Sequence, residues 1–113
     1  MKTFKQFLEH STTFDKKSRS KVEKRVNELL NGSSSRFEQM FTYAGPKLFY
    51  TVSIVFKPHD ILPEDAYLVI LKKVVAEVMP FMELKESGIK HSKIKSTRRA
   101  YCMFQDRNLH EDV

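Results

Sequence analysis

RFEQMFTYAGPKLFYTVSIVF, residues 36–56, joins two alternating runs across a Gly-Pro pair. In its second half Leu48, Tyr50, Val52, Ile54 and Phe56 share one parity, with Phe49, Thr51, Ser53, Val55 and Lys57 on the other. A period of two places one apolar row on one face of an extended strand. In the first half Phe37, Phe41 and Tyr43 alternate with Glu38, Met40 and Thr42, and Gln39 alone interrupts the apolar parity. Ala44-Gly45-Pro46-Lys47 between them supplies turn chemistry, so the whole stretch predicts an antiparallel hairpin.

Upstream the period changes. Val22, Val26, Leu29 and Leu30 fall at 0, 4, 7 and 8, one face of a helix expected over about Asp15 to Leu30. Thr13 or Asp15 suits its cap, and Asn31-Gly32 its stop. Phe4, Phe7 and Leu8 make a shorter stripe in the first ten residues. Downstream, Tyr67, Ile70, Leu71, Val74, Val75 and Val78 follow Pro63-Glu64-Asp65 at 0, 3, 4, 7, 8 and 11. That spacing predicts a core-facing helix with Pro63 at its first position, ended or kinked at Pro80. Phe81 to Gly88 reads as either more helix or a short strand, whereas Ala100, Cys102 and Phe104 alternate with Tyr101 and Met103 as a strand.

These elements predict an α+β domain in the order ααββαβ, a small antiparallel sheet of about three strands with helices packed on one face. The expected boundaries are a short amphipathic segment over 1–13, one α+β domain over 14–105 and a polar tail over 106–113. No internal repeat or low-complexity tract is visible. The strand over Leu48 to Phe56 is a candidate edge, which would let two copies pair as a homo-oligomer.

A chain of 113 residues that is 41% hydrophobic suits one folded domain rather than a disordered chain. One cysteine, Cys102, excludes a disulfide scaffold and fits a reducing compartment. No apolar run nears the roughly 20 residues of a membrane span, and the first residues lack the apolar core of a secretory signal. No membrane partner is therefore expected.

The net charge of +6 is concentrated. Lys16, Lys17, Arg19, Lys21, Lys24 and Arg25 share one ten-residue window with a single acid, Glu23. Lys90, Lys93, Lys95, Arg98 and Arg99 share another that holds no acid, and the rest of the chain is net acidic. Such segregation suits phosphates bound by counterion release, an acidic patch on a protein partner, or solvated faces that keep a small protein soluble. Tyr101 and Phe104, just past the second window, suggest a single strand held by charge and stacking, although Phe104 is also needed in the core.

Other chemistry is sparse. His10, His59, His91 and His110 are too far apart for a structural zinc site, and three scattered glycines make no phosphate-cradling loop, so no cofactor is expected. Cys102 on an apolar strand reads as a core thiol. Asp60 with Glu83-Leu84-Lys85 is the one acidic constellation that would suit a magnesium-dependent nuclease, with carboxylates on the metal and a lysine beside the attacking water. It needs the Glu-x-Lys pair on a strand ending beside the aspartate, while this stretch reads as helix end or loop.

The opening residues MKTFKQFLEH resemble the capsid-targeting peptide of tailed-phage internal head proteins, through Met1, Lys2, Thr3, Phe4, Gln6, Phe7 and Leu8. In that family the peptide directs the protein into the prohead and is removed after a Leu/Ile-x-Glu sequence. Here Glu9 follows Leu8 directly, one position early. The resemblance implies a small basic accessory protein, packaged with or injected alongside DNA and found in the virion head and the host cytoplasm. Together with the charge windows, the expected function is non-enzymatic, non-specific nucleic-acid binding. The alternatives are a host-takeover or anti-defence inhibitor of an acidic host protein and, ranked lower, the nuclease.

Overall fold

The structure is a computed structural model describing residues 16–31, 33–44, 47–60, 62–93 and 95–106. Two helices, α1 (Lys16–Leu29) and α2 (Glu64–Val78), accompany four strands, β1 (Arg36–Ala44), β2 (Lys47–Phe56), β3 (Met82–His91) and β4 (Arg98–Asp106). The α+β class stands, but the order over the described residues is αββαββ and the sheet has four strands, not about three. The helix expected in the first ten residues lies outside them, as does the tail from 107.

All neighbours pair antiparallel in the order β1-β2-β4-β3. Each αββ unit thus contributes its second strand to the centre and its first to an edge. β2 is consequently interior, bonded to β1 on one side and β4 on the other, which removes it as a route to edge pairing. Among the described residues the sheet's edges are β1 and β3.

The additional strand is β3. Pro80 follows the cap of α2 at Met79 and cannot continue the helix, and Met82 N–H closes the turn onto the Met79 carbonyl. As an edge strand β3 buries little, so MELKESGIKH carries few apolar side chains. A register shift between Leu84 and Glu86 makes Lys85 a bulge residue and reverses the alternation midway. β4 also runs one residue past the expected boundary, and Asp106 at its end is buried.

Both helices cover one face. Val22 and Val26 of α1, with Leu30 just past its end, meet Tyr67, Leu71, Val74 and Val75 of α2 over Leu48, Tyr50, Val52, Ile54 and Phe56 of β2 and Ala100, Cys102 and Phe104 of β4. Ile70 and Val78 are partly buried at the margin. Phe41 stacks on Tyr50 with centroids 4.5 Å apart, and Phe56 on Tyr67 at 4.2 Å, worth about 0.5–1.5 kcal/mol each beyond burial. Gln39 sits on the apolar parity because it accepts the Tyr50 hydroxyl proton and donates to the Arg19 carbonyl at 3.4 Å. Burial pushes the Tyr50 hydroxyl far above its ordinary pKa, the Arg19 charge opposing this only in part. Pro63 caps α2 rather than beginning it, and Glu64 and Asp65 in the first turn complement the helix dipole.

Candidate nucleic-acid interface

At one end of the sheet the start of β1, the end of β2, the end of β3 and the start of β4 come together, as the register Arg36↔Val55 and Phe56↔Arg98↔His91 requires. A cleft of about 650 Å³ opens there. Arg36, Lys57, Lys90, Lys95, Arg98 and Arg99 line it with His91, and among the described residues no acid does.

The arginines are steered from outside the cleft. Arg98 pairs with Glu64 at the head of α2. Arg99 pairs with Glu38 and donates to Ser53 Oγ at 2.9 Å, and Arg36 lies 3.1 Å from Glu38. Among the described residues Lys57 and Lys95 make no salt bridge, although the Lys57 charge is felt by Asp60. The β3–β4 connection carries Lys95 inward. Ser92 N–H bonds the Thr97 carbonyl at 2.9 Å, and Ser96 takes the left-handed conformation at φ 51° that the tight return requires.

Lys57 is positioned by Asp60. Lys57 N–H donates to Asp60 Oδ2 at 2.9 Å while Asp60 N–H returns to the Lys57 carbonyl at 3.0 Å. The same carboxylate accepts from Ser34 Oγ at 2.6 Å and Ser35 Oγ at 3.1 Å, tying the β2–α2 connection to the segment before β1. Burial works to raise the Asp60 pKa, but the Ser34 hydroxyl, the Lys57 N–H, the Ser35 hydroxyl and the Lys57 charge outweigh it and hold the carboxyl below its ordinary value.

Of the second basic window, Lys90, Lys95, Arg98 and Arg99 are brought together in the cleft, while Lys93 is exposed on the connecting loop outside its lining. The first window is elsewhere. α1 lies on the helical layer, its Arg19 guanidinium 5.3 Å from the Phe41 ring centre, and its cations do not line the cleft. Lys16, Lys17, Lys21 and Lys24 are exposed, whereas Arg25 pairs with Glu28 at 3.4 Å and approaches Glu77 of α2 at 3.9 Å, a tie between helices. Arg36 and Lys57 were missed as site residues because each is an isolated cation in sequence. Only the strand register carries them to one end.

The uncovered face of the sheet holds a second depression of about 620 Å³, walled by Met40, Thr51, Ser53 and Tyr101 and sharing Lys90 and Arg99 with the cleft. Tyr101 donates to Glu86 Oε1 at 2.9 Å, and that bond raises the pKa of its hydroxyl. Phe104 points into the core instead, so the aromatic available beside the cations is Tyr101 alone of the two.

The nuclease constellation is not assembled. Glu83-Leu84-Lys85 does lie on a strand, but at the end where Glu83 pairs with Gln105 and Gln105 with Phe49, about 23 Å along β2 from the Asp60 end. Lys85 pairs with Glu83 at 3.4 Å, and Asp60 is engaged in its turn. Cys102 is fully buried, and burial pushes its thiol up to about 11. Among the described residues no group of His, Cys, Asp and Glu could hold a metal ion, and no helix is long and apolar enough to cross a membrane.

No family model, curated protein or solved structure matches this chain.

Proposed function

We propose that this protein binds nucleic acid without sequence specificity, seating backbone phosphates in the cleft at the end of the sheet. The observation that carries the reading is the convergence of six Lys and Arg side chains on one cleft, where only Glu38 and Glu64 pair with them among the described residues. A neighbourhood where cations outnumber acids raises the local concentration of anions, and each phosphate it neutralises releases condensed counterions. Arginines already oriented by Glu38 and Glu64 meet a phosphate with little further ordering. The reading assigns no catalytic step. Its phage-type setting, packaged with or injected alongside DNA and present in the host cytoplasm, rests on Met1 to His10, which lie outside the described residues.

The test is a titration of the full chain against a fluorescent duplex and a fluorescent single strand at about 50 and 200 mM salt. Binding that weakens steeply with salt, and at least tenfold in Lys57→Glu/Lys95→Glu, supports the reading. Absence of binding to both probes at the lower salt overturns it.

A second reading belongs to α1. Its exposed Lys16, Lys17, Lys21 and Lys24 make a cationic surface apart from the cleft that suits an acidic partner. An acidic host protein docked there would be retained by the wild type through washes that strip nucleic acid. Lys17→Glu/Lys21→Glu would release it.

A further inference from the structure

We infer that the nucleic acid held in the cleft is unpaired and that one of its bases stacks on Tyr101, over the uncovered face of the sheet. The inference rests on the nucleic-acid reading and names the form of the ligand. Its basis is how the Tyr101 ring is held. The register sets Tyr101 directly across from Gly88, and a Cβ added at Gly88 would stand 3.2 Å from the Tyr101 hydroxyl and 3.3–3.4 Å from Cε1 and Cζ. Glycine therefore lets the ring lie down across β3, and the hydroxyl is tethered at its far edge by Glu86. A ring fixed in this way offers a π face with little conformational entropy left to lose.

That face already attracts a cation. Lys90 Nζ sits 4.8 Å from the ring centre, and Lys90 also lines the phosphate cleft. A lysine is long enough to leave the ring for a phosphate while a base takes its place. The depression beside the ring provides the wall a base needs, with Thr51 and Met40, the latter 60% exposed. Both helices pack on the opposite face, and nothing among the described residues covers this one.

The acids decide between one strand and two. Glu38, shared by Arg36 and Arg99, and Glu86 stand on the uncovered face, the first within the depression and the second against Tyr101, while among the described residues the cleft lining itself has none. A duplex would present phosphates to both regions and meet these carboxylates. A single strand keeps its phosphates at the cationic end and turns an uncharged base toward the sheet. Lys90 and Arg99, common to the cleft and the depression, mark the junction.

The test uses the full chain and three fluorescent probes of equal length, roughly 12 nucleotides, within the range a small single-strand site covers. They are oligo(dT), an abasic oligomer with the same phosphates, and a duplex. One stacked base makes oligo(dT) bind roughly tenfold tighter than the abasic probe. Tyr101→Leu should abolish that preference, whereas Tyr101→Phe should keep it. Equal binding of oligo(dT) and the abasic probe by the wild type, or tighter binding of the duplex, overturns this inference and leaves the cleft intact as a phosphate site. Binding of none of the three overturns the nucleic-acid reading beneath it. Because the wild type alone separates these results, poor folding of a variant cannot mask the answer.

Discussion

Replacing Asp60 by alanine removes one carboxylate that accepts from Ser34 Oγ, Ser35 Oγ and Lys57 N–H and fastens two connections of the fold together. Hydrogen bonds to a charged acceptor can exceed the ordinary 0.5–1.5 kcal/mol, but water competes at a half-exposed site, so three such bonds are worth about 2 kcal/mol in all. For a domain of this size that is a fall in Tm of roughly 10 °C. The sign with pH follows from the direction of the shift. The folded carboxyl lies below its ordinary value, so its contribution is complete above the unfolded pKa of about 3.9 and fades as pH falls through the folded value. Urea unfolding followed by circular dichroism, for wild type and Asp60→Ala at neutral pH and at about pH 2.5, measures both effects. The stability gap should be largest at neutral pH and nearly closed in acid. A change within about 0.5 kcal/mol at neutral pH, as for an ordinary surface substitution, would refute the reasoning. So would a gap that persists undiminished in acid. Because Ser34 and Lys57 line the cleft, the variant should also bind single strands more weakly.

Three further outcomes are expected. Gln39→Leu strands the buried Tyr50 hydroxyl and should cost about 1–3 kcal/mol, more than Tyr50→Phe, which leaves Gln39 its bond to the Arg19 carbonyl; urea midpoints of the two variants check the order. Cys102, buried with its thiol pushed up to about 11, should react with an alkylating reagent at mildly alkaline pH only as fast as the domain opens, and rapid labelling of the native protein would contradict its placement. Lys57→Ala and Lys95→Ala should each flatten the plot of log binding constant against log salt by ~0.7 on a single strand, whereas Lys93→Ala, outside the cleft, should change it less.

Most of the architecture was legible locally. The hairpin over β1 and β2, the α2 stripe and the inward row of β4 each repeat at the period of their own backbone, and burial of one face imposes that pattern on the sequence. Cys102 was readable as a core thiol for the same reason. Gln39, which breaks the pattern, is explained only by its partners, the Tyr50 hydroxyl and the Arg19 carbonyl.

The strand β3 and the site were less legible. β3 lies at an edge, so little of it must be apolar, and the bulge at Lys85 reverses its alternation. Charge clustering in sequence pointed to Lys90, Lys95, Arg98 and Arg99, and also to α1, whose cations share no cleft with them. Clustering along a chain reports proximity only within one segment. It could not reveal Arg36 or Lys57, nor show that Asp60 is spent on holding Lys57 in place.

The class of the domain, its apolar faces and the runs of positive charge could be read along the chain, because helix and strand periods and charge clusters are local patterns. The order β1-β2-β4-β3, the interior place of β2 and the end of the sheet at which the cations meet came from the folded arrangement alone. Those depend on backbone hydrogen bonds between strands far apart in the chain, where a pairing such as Val55↔Arg99 brings together residues that no local pattern connects.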